Sequence, residues 1–542
     1  MTLFCRTFMK YLRYLKYERM VMNMNYKVKL GTLVTSLVLS GYITTIPVAH
    51  ATSYKISPPL ITTSRFITSN VGSHEVSVRQ GQNKIDLDVS VTKNATASEI
   101  QQLLDYNKNN VYNLTIRIPY GTYVLDQELR IYSNTTIIVS TGAKLMKNHQ
   151  RGAMIANDMS KDNGGYSTTE NITIDGGIWD SSMIAGYNKG TESFRFIHAT
   201  NVTVKNATIR NVPDKSHLIT FAGVKNGTIE NCILFGYNGE TLKEAIQLDI
   251  VHDNIIVPSM QSSSILYDDL PCDTIVIKDN LIYNFPRGIG SHTSVQGVFH
   301  TNITIENNRL HDISEAAIKV YNYTNTNIKN NIIDRAGVGI LVYTTIANEE
   351  MNYLPALPST KKQPLPKNYR IVIEGNTIKN MRQYLEGSTL TWGDGIRVIG
   401  SKARPLSNVS IRKNKLTKTA RYGIFVEYSP NCYIGSNYIT DTYRYAICVH
   451  NSNSGNLYWN QISKAGAKNS YYGGIGVSYT QNLKIYSNKI NVTAKNGIYL
   501  NSTTRNCNVT WNKITGVAAA QAIYADTKDG HTVKNNTPKV KK

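Results

Sequence analysis

Residues 411–439 read IRKNKLTKTARYGIFVEYSPNCYIGSNYI. The stretch opens and closes on one pattern: an apolar residue, two residues, an asparagine, one residue and a second apolar residue. Its two asparagines, Asn414 and Asn437, stand 23 residues apart. Between them lies Gly423-Ile424-Phe425-Val426, a small residue followed by the period-two alternation of a short strand. A repeat of this length matches one turn of a solenoid, in which each coil buries its apolar face only against its neighbours.

Working outward, the asparagine pattern is read in VKNATI, IENCIL, IKDNLI, IENNRL, IKNNII, IEGNTI, IRKNKL, IGSNYI, LYWNQI, IYSNKI and VTWNKI. Its asparagines are Asn206, Asn231, Asn280, Asn308, Asn331, Asn376, Asn414, Asn437, Asn460, Asn488 and Asn512, and the longer spacings mark coils with inserted loops. Asparagine suits a sharp bend because it tolerates the left-handed conformation and its amide can bond the amides of the coils above and below, so an asparagine ladder is expected. The Asn-x-Ser/Thr triplets that result are read as by-products of threonine-bearing strands rather than as glycosylation sites. A second motif recurs as AIQL, AIKV, GILV, GIRV, GIFV, AICV, GIGV and GIYL. These are parallel strands of one stacked sheet, with Ile246, Ile318, Ile396, Ile424 and Ile447 pointing inward and the residues beside them outward. An all-β solenoid of about 11–13 coils is expected.

The amino terminus carries Lys27 and Lys29, an apolar run over 30–48 and the small-residue site Ala49-His50-Ala51, the pattern of a secretory signal peptide behind an over-long start. Secretion, cleavage after Ala51 and no membrane span thereafter are expected. The expected organisation is a signal segment over 1–51, an extension over 52–94, the solenoid over 95–530 and a basic tail over 531–542. Within it, ATASEIQQLLDYNKN (95–109) reads as a short helix with Thr96 or Ser98 as its cap. IRIPYGTYVLDQELRIYSNTTIIVSTGAKL (116–145) and NITIDGGIWD (171–180) follow. This opening resembles that of pectin-lyase-like proteins, and the resemblance, covering roughly 95–530, implies a right-handed parallel β-helix with a short N-terminal capping helix. It leaves the chemistry open, because that fold carries lyases, hydrolases, epimerases and non-catalytic binders.

Loss of residues 1–51 leaves +16 of the formal charge of +22, so an anionic partner is expected. No helix-turn-helix, zinc module or aromatic-basic strand points to nucleic acid, and the fold directs the choice to an acidic polysaccharide. The five cysteines beyond the signal form no CxxC pair, so neither zinc nor a disulfide framework is indicated. A monomer is expected.

Outward residues in equivalent positions stack at about 4.8 Å from coil to coil and can act together. The first outward row is read as Ile219, Gln247, Gly290, Lys319, Leu341, Arg397, Phe425, Cys448, Gly476, Tyr499. The second is Phe221, Asp249, His292, Tyr321, Tyr343, Ile399, Glu427, His450, Ser478, Asn501. Acid, imidazole, amine and phenol concentrate in three coils, at Gln247, Asp249, His292, Lys319 and Tyr321, with His217 before them.

Lytic β-elimination on a uronic acid needs a cation to neutralise the carboxylate, a base for the C5 proton and an acid for the leaving oxygen. Lys319, Arg287 or Arg397 can neutralise, His292, His217 or Lys319 can be the base and Tyr321 the acid. Epimerisation needs the same base. Tyr343, Glu427 and Trp392 join Gln247, Arg287 and Arg397 as substrate-binding candidates. Hydrolysis instead needs two carboxyl groups, Asp249 with Asp268, Asp269 or Glu244. Gln247-Leu248-Asp249 and Gly290-Ser291-His292 stand where the polygalacturonase-like members have Asn-x-Asp and Gly-His-Gly, a departure that leaves hydrolysis as the alternative. A non-catalytic surface protein is the third reading. The long loop after Asp249 bears Asp268, Asp269 and Asp273, which can bind calcium; the insertion after Tyr343 can wall the groove. Glu315 is read as turn and His300 as structural.

Overall fold

Successive coils of the computed structural model repeat three short strands joined by bends. Ser410–Arg412, Lys415–Thr419 and Ile424–Glu427 pair in parallel with Tyr433–Gly435, Tyr438–Thr442 and Ile447–His450 of the next coil. The structure describes residues 63–69, 72–80 and 84–538, except 259–264, 345–352, 384, 387–388, 391, 467–470, 493–494 and 526–528. The expected signal segment lies outside the described residues. Three parallel faces result, called here the groove face (Ile424–Glu427), the second face (Ser410–Arg412) and the third face (Lys415–Thr419).

Inward positions carry the core. On the groove face Ile246, Ile289, Ile318, Ile340, Ile396, Ile424, Ile447, Ile475 and Ile498 form one fully buried row. The small residue before each isoleucine is explained by the closeness of the coils. A Cβ on Gly423 would lie 2.6 Å from the carbonyl oxygen of Ala446.

The corner between the second and third faces holds the asparagine ladder. Asn437 is typical: its Nδ2 donates to Ile411 O (2.9 Å) and Asn460 Oδ1 (3.0 Å), and its Oδ1 accepts the backbone N–H and Nδ2 of Asn414 (3.0 Å each). Every polar atom of the buried amide is thus satisfied. Two expectations are corrected. The left-handed residue of the bend is the one before the ladder asparagine, as at Asp279, Asn307, Asn330, Lys413 and Ser436, while the asparagine itself points inward. In VKNATI and IENCIL the asparagine stands one place early, so Asn206 and Asn231 take the outward left-handed site. Ala207 and Cys232 fill the inner corner there. The inner ladder begins at Asn280, whose Oδ1 accepts from Cys232 N–H (2.9 Å).

Residues 52–94 contribute strands. Thr63–Ser69, Gly72–Gln80 and Ile85–Ser90 pair antiparallel in turn, and the last runs parallel to Tyr112–Ile118 on the second face. Helix α1 (Ala97–Asp105) buries Ile100, Leu103 and Leu104. Thr96 caps it, its hydroxyl accepting from Glu99 N while Glu99 accepts from Thr96 N. At the other end Thr532–Lys534 pairs with Asn508–Thr510, and Asn512 donates to Asn536 Oδ1 (3.0 Å). Part of the expected tail therefore completes a further coil. The five cysteines are buried and free. No helix among the described residues is long and apolar enough to cross a membrane.

Candidate active site on the groove face

Thr220, Gln247, Gly290, Lys319, Leu341, Arg397, Phe425 and Cys448 align from coil to coil. The first coil is shifted from the sequence reading: Ile219 and Phe221 pair with the inward Ile246 and Leu248, so Thr220 and Ala222 flank the groove. Gly290 has φ +148°, and a Cβ there would meet the carbonyl of Lys319. Glycine lets the chain bend, so that Ser291 turns inward to bond Leu248 O (2.6 Å) and His292 leaves the strand to reach Glu244.

Glu244 is the centre of the arrangement. Its Oε2 lies 2.9 Å from His292 Nδ1, and its Oε1 accepts from Arg287 Nη1 (3.2 Å). Burial works to raise its pKa, but His292 and Arg287 outweigh it and hold the carboxylate well below the usual range. His217 donates through Nδ1 to the backbone oxygen of Glu244 (2.8 Å), and its ring stacks on that of His292 (centroids 6.0 Å apart, 17° between planes). Desolvation, with the charge of Lys243 nearby, pushes the His217 pKa down to about 3, so this ring is neutral. Both imidazoles direct Nδ1 to Glu244, and each keeps its Nε2 for other partners.

Asp249 has the opposite character. It is buried, and Gln247 Nε2 donates to its Oδ1 (3.0 Å). Desolvation pushes its pKa up to about 6, against the pull of His292, Gln247 and Lys243. A carboxyl that holds its proton up to about pH 6 and an imidazole oriented by a carboxylate thus stand on adjacent coils of one face, groups of the kind that general acid–base chemistry uses. Lys243, half-buried and in no ion pair among the described residues, is the cation whose charge reaches both Asp249 and His217. The strand motif begins at Ala245, so reading the motif alone missed it.

Other candidates lie elsewhere. The insertion after Tyr343 folds back over the groove face: Tyr353–Leu354 pairs with Ser294–Val295, and Gln363 N donates to Gly297 O (2.8 Å). Beneath this roof Tyr321 and Tyr343 stack at 4.2 Å, both fully buried, within a small apolar cluster that includes Leu341 and Ile399. Lys319 is fully buried, its ammonium 3.0 Å from Glu315 Oε1 and below the Tyr343 ring. Arg287 pairs with both Glu244 and Glu315. Outward direction did not bring access: Lys319, expected as neutralising cation or base, and Tyr321, expected as acid, are both fully buried. Glu315, read as turn, joins the two buried cations. Arg397 is held between Trp392 and Phe425, 4.2 Å from each ring, and pairs with Asp394 (2.7 Å). Glu427 faces His450 at 3.7 Å. These form a separate cluster along the groove.

The three aspartates of the long loop are dispersed among different partners. Asp268 bonds His198 Nε2 (3.1 Å), whose Nδ1 lies 2.9 Å from Asp162. Asp269 bonds His252 Nδ1 (2.5 Å) and accepts from Leu357 N and Thr360 Oγ1. Asp273 accepts from Asn302 Nδ2 (2.7 Å) of the next coil. Among the described residues no group of three acidic, histidine or cysteine side chains is arranged to hold a metal. The pair Asp268-Asp269 instead ties together loops around 158–168, 250–272 and 353–368. His300 accepts from Cys272 N (3.0 Å) within the core.

No curated protein sequence matches this chain. Among solved structures it is similar to a tailspike mutant of E. coli bacteriophage HK620 in complex with pentasaccharide, at 11% identity and a TM-score of 0.53 over 79% of this chain and 76% of that one. It is similar to the surface adhesin PfbA of Streptococcus pneumoniae at 18% identity and a TM-score of 0.49, over 78% and 97%. The A-module of the Azotobacter vinelandii mannuronan C-5 epimerase AlgE6 aligns at 12% identity and a TM-score of 0.41, over 82% and 96%. The family model described as "Right handed beta helix region" matches residues 192–350, 243–405 and 365–537. Together these spans cover more than half of the sequence, and the chain belongs to the right-handed β-helix family.

Proposed function

We propose that this chain is an enzyme acting on an acidic polysaccharide, removing the C5 proton of a uronic-acid residue and eliminating the adjacent glycosidic oxygen. The observation that carries the reading is the paired environment of His292, oriented by Glu244, and Asp249, kept protonated by burial up to about pH 6. His292 Nε2 takes the proton and Asp249 gives one to the leaving oxygen. Lys243 faces the substrate carboxylate and steadies the charge that develops there. The HK620 tailspike, seen in complex with pentasaccharide, supports a saccharide on this fold as an analogy only.

Hydrolysis is less well supported. It needs a second carboxylate as base. Glu244 is taken up by His292 and Arg287, and Asp268 and Asp269 by other histidines.

The test is incubation of the full chain with polygalacturonate, alginate and glucuronic-acid polymers, followed by ultraviolet absorbance of unsaturated ends. Absorbance that falls about 10²–10⁴-fold in His292→Gln and in Asp249→Asn is expected. New reducing ends without absorbance would replace elimination by hydrolysis, and inverted uronate without chain cleavage would replace it by epimerisation. Binding without turnover would leave a non-catalytic protein.

A further inference from the structure

The outward corner residues of six successive coils, each just before a ladder asparagine, are Lys413, Ser436, Trp459, Ser487, Trp511 and Asn535. All six have left-handed φ; Trp459 has +52° and Trp511 +61°. Bulky residues rarely adopt this conformation, which most bends of this chain give to asparagine or glycine, although Arg335, Lys413, Tyr428 and Tyr479 take it as well. The two indoles gain no burial in exchange, since Trp459 is 61% and Trp511 65% exposed. Burial therefore does not explain them.

Their arrangement is informative. Ser487 separates the two tryptophans, placing them two inter-strand spacings, roughly 10 Å, apart along the solenoid axis. Rings in adjacent coils cover one another, as Tyr458 and Tyr486 do at 5.6 Å on the neighbouring row, whereas the serine keeps each indole uncovered. Tyr458 supports Trp459 edge-on (5.5 Å, 73°). Beside the corner, Lys489 and Lys513 are paired in register, exposed and in no ion pair among the described residues. They border a shallow depression of about 310 Å³ with Tyr438, Gln461 and Asn491. Residues 428–542 contain 13 Lys or Arg against 3 Asp and no Glu, so this end of the molecule is strongly cationic.

We infer that the Trp459–Trp511 corner, with Lys489 and Lys513, is a second polysaccharide site. It binds an extended anionic glycan by stacking alternate sugar rings on the indoles and pairing carboxylates with the ammonium groups. The corner lies between the second and third faces, away from the groove, and the inference does not require turnover there. It would keep the protein on its polymer while a separate strand occupies the groove.

The test is electrophoresis of the full chain through gels containing polygalacturonate, with dextran gels as the neutral control. Glycine fits the left-handed corner, so Trp459→Gly/Trp511→Gly removes the rings while easing the backbone. Retardation of the wild type by polygalacturonate, at least fivefold weaker apparent affinity in the double glycine variant and loss of salt-sensitive retardation in Lys489→Gln/Lys513→Gln are expected. The groove variant His292→Gln should be retarded like the wild type, which separates this site from the proposed activity. Polygalacturonate should also shift tryptophan emission more in the wild type than in the glycine variant, which keeps the buried Trp179 and the half-buried Trp392 of the groove. Equal retardation of the wild type and the glycine variant, no retardation of the wild type, or equal retardation by dextran would overturn the inference, the last pointing to an uncharged occupant.

Discussion

Substitution of His198 should show how the loops over the long insertion are held. Its side chain is fully buried between Asp162, from the loop around 158–168, and Asp268, from the loop around 250–272. Desolvation works to lower its pKa, but the hydrogen bonds and charges of the two aspartates outweigh this and bring it up to about 9 from 6.5. A folded pKa above the unfolded one means stability that is complete below about pH 6.5 and is lost as pH rises through 9. At 1.36 kcal/mol per pH unit, the shift corresponds to about 3 kcal/mol. Opening of these loops should then become about 10²-fold easier between pH 6 and pH 9.5. Hydrogen exchange of the amides over 158–168 and 265–271, corrected for intrinsic rates, measures this directly. Lys147, whose pKa desolvation pulls down to about 7, titrates in the same window with the opposite sign. The diagnostic quantity is therefore the difference from His198→Asn, which keeps a residue suited to φ +49° and removes the titration. Protection that stays flat with pH in the wild type, or falls equally in the variant, would refute the clamp.

Three further outcomes are expected. Asn437→Ala strips the acceptor from the Asn414 backbone N–H and side-chain amide; at about 1–3 kcal/mol for each orphaned group it should cost about 2–6 kcal/mol, whereas Asn206→Ala, at an outward corner, should cost less than about 1 kcal/mol, both read from denaturant midpoints. Glu315→Gln removes the anion between Arg287 and Lys319 and should cost about 3–5 kcal/mol in the same measurement, a loss of stability that marks Lys319 as a structural cation. If Asp249 is the proton donor, turnover should fall tenfold per pH unit above about pH 6, and Asp249→Asn should lack that limb of the pH–rate profile.

The fold was legible because period is a property of the sequence itself: 23-residue spacing, inward isoleucines and the Thr96 cap all return in three dimensions. The errors were local and had local causes. Asn206 and Asn231 read as ladder members because an asparagine fits both the left-handed bend and the inner corner beside it, and only register distinguishes the two. Asp249 and His292 emerged as neighbours in the groove, but the rows could not reveal access. Tyr321, Tyr343 and Lys319 point outward and are buried all the same, because an insertion with no periodicity covers them. Lys243 and Glu244 precede or open their strand, where the motif carries no signal, although Glu244 organises both imidazoles.

The inner corner also divides the molecule mechanically. In a solenoid, stability is the sum of coil terms and couplings between nearest neighbours. From Asn280 to Asn536 each coupling includes bonds between buried asparagine side chains, while at the step from Ala207 to Cys232 the asparagine bond lies on the outward side of the corner, from Asn231 Nδ2 to Asn206 Oδ1 (2.7 Å). The joint between coils bonded on the outward side of this corner and coils bonded within it falls at Asp249 and His292. A molecule frayed from its amino-terminal side to that joint would lose its acid and its base together, yet would still carry the tryptophan corner, so attachment to a polymer would outlast chemistry upon it.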